Sequence, residues 1–468
     1  MALFAAGLVA WSVLPRFDRF KPPGSEVTAD EHPQLFAELR RVATATRQKM
    51  PTHVYLIPDV NAFVAQRGGW MGLAGRRVMA IGMPLLRTLQ VDELRAVLAH
   101  EMGHFYSGDV WLGPWIHKTR DALTRTVTKL GQASVAGVSA GLGISWVFAL
   151  IQVPFLWFLV GFLRISKAIS RAQEYSADAV AVRAEGPRAL IEGLKKARAA
   201  ALVHSIYMRS EVTPLLSYGK LPAVGEGFTR FLASEHLAST FDEAIDHEME
   251  KDSADPYDSH PPLRERIRAI RAITGPTRPE DMRRAISLVR DADAIEMADL
   301  ESRAQRSLER IAWKDTAEVW AQIWADGVPD AARALAGLRV ADIPVALAEI
   351  RLRASRVLGD RSDAEMHTWW SHVVGQALAL LLIEAGFTAT TTPGEPERFT
   401  RGAEIVEPFV EIREHLHGGD TADGWRARWE ARGLAAHELV RPRSRRARAM
   451  MSNADPIRTP RSARRGRR

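Results

Sequence analysis

Apolar and polar residues recur along this chain with two different periods. Between His32 and Arg47, Leu35, Phe36, Leu39 and Val42 return every three or four positions, the spacing that gives a helix one apolar stripe. The period then shortens. His53–Ile57, Ala62–Gln66 and Arg77–Gly82 read as short strands, with Asp59-Val60-Asn61 and Gly68-Gly69 as turns. From Val91 the helical spacing resumes: VDELRAVLAHEMGHF sets Leu94, Val97, Leu98, Met102 and Phe105 on one face. Most of the remaining chain reads as helix. The expected class is α+β, mainly α with a small antiparallel β-sheet.

Two stretches are apolar without any period. Met1 to Pro15 is one, followed at once by Arg16, Arg19 and Lys21. A secretory signal carries its positive charge before the apolar run, not after it. Fifteen residues of helix span about 22 Å, less than a hydrocarbon core of about 30 Å. Residues 1–20 therefore read as a short anchor, or else as a buried first helix. The second stretch, Gly131 to Leu163, carries no formal charge, and its second half reads ISWVFALIQVPFLWFLVGFL. Lys118, Arg120, Arg125 and Lys129 precede it; Arg164, Lys167 and Arg171 follow it. Basic residues on both flanks favour the cytoplasmic side for both. Thirty-three residues fall short of the roughly 40 needed for two spans and a turn. The expectation is a helical hairpin bent near Gly141–Gly143 that enters or lies against a bilayer, with a buried core hairpin as the other reading.

Composition narrows the chemistry. There is no cysteine, which excludes disulfides, thiol nucleophiles, iron–sulfur clusters and Cys-ligated zinc. Any metal must be held by His, Asp or Glu. The net charge of +7 is misleading, because residues 441–468 hold eleven Arg against the single acid Asp455. Without that tail the chain carries a net −3, so no nucleic-acid surface spreads over the folded body. The tail, rich in Arg, Pro, Ser and Gly, reads as disordered. The expected organisation is an anchor over 1–20, a catalytic domain over 21–300, a helical region of unassigned role over 301–440, and the Arg-rich tail.

Candidate chemistry concentrates in His100-Glu101-Met102-Gly103-His104. Residues four apart share a helix face, so both imidazoles can reach one ion. Glu101 lies beside them, within reach of a water that the ion would acidify. A catalytic tetrahedral site wants three protein ligands and an open position. The helical stretch SRAQEYSADAVAV offers Glu174, with Asp178 four residues on and on the same face. A carboxylate at Asp178 can accept the free ring N–H of a ligating histidine. Further on, DSHPPLRERI places His260 before two prolines and Arg266 after them. Either could stabilise an oxyanion.

Taken together, an HExxH helix, a following ExxxD helix and a later HPxxxxRI resemble the HtpX-like and CAAX-prenyl-protease family of zinc metallopeptidases, which are gluzincins. The resemblance implies one Zn2+ per chain on His100, His104 and Glu174, with Glu101 as catalytic base and Asp178 holding a ligating histidine. It makes His260 a further catalytic residue and Arg266 a contact to substrate. It also takes in Asn61-Ala62-Phe63 and the strand around Val78–Gly82. In such enzymes an edge strand beside the zinc pairs with the substrate backbone, which here implies substrate contacts at Asn61, Val78 and Ala80. The implied activity is zinc-dependent endopeptidase action on misfolded or membrane proteins. The implied place is the cell membrane, with the active site on the cytoplasmic side. Expected partners are polypeptide substrate and membrane lipid, and no specific nucleic acid. Two other readings stay open: a zinc-containing scaffold without catalysis, and an interaction protein that works through residues 301–468. His100 and His104 precede the apolar stretch and Glu174 follows it, so one ion can bind all three only if no single complete crossing separates them.

Overall fold

A computed structural model describes residues 21–67, 75–106, 128, 145–250, 261–416, 418, 419 and 421–440. The expected anchor at 1–20, the hairpin bend at Gly141–Gly143, His260 and the tail at 441–468 lie outside the described residues. The chain divides into two compact units: Met1–Trp313 with Pro393–Glu395, and Lys314–Thr392 with Pro396–Arg468.

The first unit is built on four strands, β1 (Ser25–Val27), β2 (His53–Ile57), β3 (Ala62–Arg67) and β4 (Arg76–Gly82), in the order β1-β2-β4-β3. Its helices are α1 (Pro33–Ala45), α2 (Met83–Thr88), α3 (Val91–Tyr106), α4 (Ser145–Glu185), α5 (Pro187–Tyr207), α6 (Thr213–Ser217), α7 (Val224–Ala233), α8 (Glu235–Glu250), α9 (Leu263–Arg271) and α10 (Ala292–Arg303). The class is α+β, but the sheet is mixed rather than antiparallel. β2 and β4 run parallel, while β1 pairs antiparallel with β2 and β3 antiparallel with β4. Side chains alternate across the sheet as a two-residue period requires. Val54, Leu56, Met79 and Ile81 enter the main core with Leu35, Leu39 and Val42 of α1, while Tyr55, Ile57, Val78 and Ala80 are buried on the opposite face.

The helix α3 runs through the middle of this unit. Leu94, Val97, Leu98 and Met102 are buried as the periodicity expects and Phe105 is half-buried, but Asp92, Glu93 and Arg95 are buried too. A charge taken out of water must be paired. Asp92 meets Arg188 of α5, and Glu93 meets Lys196 of α5 at 2.6 Å. Arg95 reaches Glu185 at the end of α4 at 3.2 Å, Glu38 of α1 at 3.3 Å and Asp281 at 3.4 Å. The central helix is thus tied to its neighbours by ion pairs as well as by apolar contact. A second buried cation, Arg87 of α2, binds Glu296 at 2.6 Å and Asp293 at 2.5 Å, both on α10.

The second half of the apolar stretch is the start of α4, a single helix of 41 residues that continues into the Glu174 segment. Val153, Trp157 and Val160, one face of that helix, are exposed. Among the described residues no helix is long and apolar enough to cross a membrane. The first unit extends through Trp313, because β6 (Glu309–Ile311) pairs in parallel with β5 (Lys220–Pro222), and the Trp313 indole donates to the Ala223 carbonyl.

The second unit has its own core. It holds α11 (Ala317–Leu335), α12 (Ile343–Ala346), α13 (Ile350–Leu358), α14 (Asp363–Glu384), α15 (Pro408–Leu416) and α16 (Ala422–Ala431). It also contains a three-stranded antiparallel sheet, β7 (Thr388–Thr390), β8 (Arg398–Arg401) and β9 (Glu404–Val406), which the expectation of a helical region over 301–440 did not include. Trp324, Trp370, Trp425 and Trp429 are fully buried in it. The Ser362 hydroxyl and Glu365 carboxylate cap the start of α14 reciprocally.

Two outcomes follow. Arg95→Ala strands Glu185 without its cation and should cost about 3–5 kcal/mol in denaturant unfolding. His204 of α5 lies edge-on to Phe228, and burial holds its imidazole down at about 4. The unfolded chain then takes up a proton near pH 6.5 that the native chain refuses. Stability present at neutral pH is therefore lost as the pH falls from about 6.5 towards 4, by up to about 3 kcal/mol. His204→Phe should flatten that part of the stability–pH curve.

Candidate metal centre

Three helices of the first unit bring the chemistry together. The last turns of α3 carry His100 and His104, α4 carries Glu174 and Asp178, and α9 carries Arg266. Helices α3 and α4 touch at Gly103, where a Cβ would stand 2.8 Å from the Ala177 Cα. No side chain fits there, and the absence of one is what lets the histidine helix reach the carboxylate helix. Gly103 lies between the two histidines' turn, and Ala177 lies between Glu174 and Asp178 in sequence. This tight contact between the helices is therefore at the site itself.

The donor atoms converge. His100 Nε2 lies 3.6 Å from Glu174 Oε2, and His104 Nε2 lies 3.6 Å from Glu174 Oε1. The two imidazoles meet edge to face with centroids 4.9 Å apart. One donor atom from each of His100, His104 and Glu174 lies within 4.8 Å of the others. Ligands at 2.0–2.1 Å on a tetrahedral ion are separated by about 3.4 Å, so the arrangement needs only small adjustment to close on zinc. Two neutral nitrogens and one carboxylate oxygen, with no sulfur, are also a donor set that zinc accepts with a fourth position left open. His100 and Glu174 are buried while His104 is partly exposed, which leaves one side of the cluster open to solvent.

Glu101, next to His100 on α3, is also partly exposed. Asp178 Oδ1 lies 2.9 Å from His100 Nδ1. Burial by itself raises the Asp178 pKa, but hydrogen bonding to His100 and the Arg266 charge outweigh it and hold the carboxyl at about 2.

The remaining expected residues fall elsewhere. Arg266, expected as a contact to substrate, is enclosed by acidic partners. It is buried, with Nη2 2.6 Å and Nε 3.0 Å from the two Asp178 oxygens, and Nη1 3.4 Å from Glu174. The sequence held the signal for this: Leu263, Arg266, Ile267 and Ile270 share one face of α9, and all four are buried. Val78 and Ala80 are not on an edge strand either. β4 is paired on both sides, by β2 and β3, so its backbone is committed within the sheet. The edge strands are β1 and β3, and of these β3 packs against α3. Asn61 is exposed just before β3, where its carbonyl accepts the Gly82 N–H at 2.7 Å.

Known proteins bear on this geometry. The chain is 27% identical over 263 residues to a protease HtpX homolog of Syntrophobacter fumaroxidans, covering 54% of this chain and 79% of that one. It is 26% identical over 250 residues to a protease HtpX of Xanthomonas axonopodis pv. citri, covering 52% and 73%. No solved structure matches it. The model of peptidase family M48 matches residues 29–274, a span that contains α3, the Glu174 segment and α9. More than half of the chain, and every residue of the donor cluster, lies inside that match: the chain belongs to peptidase family M48.

Proposed function

We propose that this peptidase is a zinc-dependent endopeptidase that works at a membrane. The convergence of His100, His104 and Glu174 within 4.8 Å, with Glu101 adjacent, is the observation that carries the reading. Zinc bound by these three residues supplies Lewis acidity to a water and to the scissile carbonyl. Glu101 takes the proton from the attacking water and delivers it to the leaving amine. Asp178 holds the imidazole of His100 by accepting a hydrogen bond from its Nδ1–H. The outer edge of β3, next to α3, accepts the extended backbone of a polypeptide by strand addition, which gives affinity with little sequence choice. Misfolded and membrane proteins, with exposed extended segments, suit such a site.

The membrane reading rests on the charge-free run Gly131–Leu163, its basic flanks, and the exposed Val153, Trp157 and Val160 on α4. Basic flanks on both sides put the donor cluster at the cytoplasmic face. His100, His104 and Glu174 then meet in one compartment without a single crossing between them.

Metal analysis and a proteolysis assay test this on the full chain. The wild type should hold about one zinc and cleave an unfolded protein. His104→Ala and Glu174→Ala should lose most of the metal, since each removes one of three ligands. Glu101→Gln should keep the zinc and lose cleavage by about 10²–10⁴-fold. A zinc-loaded wild type that cleaves nothing would leave the non-catalytic scaffold in its place.

A further inference from the structure

We infer that Arg266 is a positioning residue for the donor cluster, acting on His100 through Asp178. This rests on the metal-site reading above and assigns Arg266 a place behind the ligands. Two of its nitrogens bind the two Asp178 oxygens, at 2.6 and 3.0 Å, the forked geometry that fixes a carboxylate's rotation as well as its charge. Asp178 Oδ1 is the oxygen that also faces His100 Nδ1, at 2.9 Å. Arg266 Nη2 and His100 Nδ1 therefore converge on one acceptor. The 3.3 Å between those two nitrogens is the spacing of two donors sharing an oxygen, not a bond between them.

The consequence is a tautomer. Guanidinium carries only donors, so Asp178 Oδ1 is the partner left for the Nδ1 proton of His100. With that proton on Nδ1, the lone pair sits on Nε2, and Nε2 is the atom turned towards Glu174 Oε2. The orientation of a ligating nitrogen is thus set from α9, a segment far along the chain from both ligand helices. The same guanidinium lies 3.4 Å from Glu174 Oε2. One cation therefore faces two buried carboxylates. Lysine has no fork and can hold only one of the two Asp178 oxygens.

Zinc affinity of the full chain, measured by competition with a chromophoric chelator, tests this apart from catalysis. Arg266→Met should weaken zinc binding by about 10–100-fold, with Arg266→Lys in between and at least about threefold weaker than wild type. In an Asp178→Asn background, Arg266→Met should add less than about threefold, because the two act in series. A role confined to stability would lower the melting temperature and leave the affinity of the folded variants unchanged. Folded Arg266→Met with wild-type affinity overturns the inference; should that variant fail to fold, wild-type affinity in Arg266→Lys does so. A wild type that binds no zinc removes the metal site and this inference together. A wild type that binds zinc but cleaves nothing sinks only the peptidase reading.

Discussion

Everything in the first unit is arranged around the cost of burying a helix that carries charge. Helix α3 is surrounded by protein, and Asp92, Glu93, Arg95 and His100 go under with it. Each would be prohibitive alone, and each has a partner from a different element: α5 for the two acids, α1 and the end of α4 for Arg95, and α4 again for His100. The ion pairs specify which helices stand where. Apolar packing alone would tolerate sliding, whereas an unmatched buried charge would not.

The donor cluster is the last of these matched sets, and it differs from the rest in balance. Glu174, Asp178 and the neighbouring Glu101 bring acidic groups, and Arg266 is the cation paired with the first two. An excess of carboxylates next to two imidazole nitrogens is what suits a divalent cation. The glycine contact at Gly103 supplies the distance and the pairing supplies the orientation. Neither would place three donor atoms together by itself.

The second unit shares none of this chemistry. Its core sets four buried tryptophans among mostly aliphatic side chains, and the Trp425 indole is satisfied by the Val340 carbonyl at 2.7 Å. It lies beyond the span matched by the peptidase family and encloses a core of its own.

Much was legible from sequence because it depends on local periodicity. The helix around Leu35 and Leu39, the strand His53–Ile57 and the helix bearing His100 and His104 all follow from which residues share a face. HExxH announces a possible ligand pair for the same reason, since i and i+4 meet on any helix. The buried state of Asp92, Glu93 and Arg95 was not legible: their partners lie tens of residues or more away in the chain, and an isolated helix would turn them to water. The strand order was equally hidden. β4 reads like any exposed-edge candidate until β2 and β3 close on either side of it and commit the backbone at Val78 and Ala80 within the sheet. Arg266 shows the division most clearly. The motif and the resemblance put it near the site as a contact to substrate, but only the packing of α9 against α4 decided that its charge meets Asp178. Spacing within one element sets which side chains point together; which elements then meet is decided by long-range burial, where every charge needs a counterpart from another part of the chain.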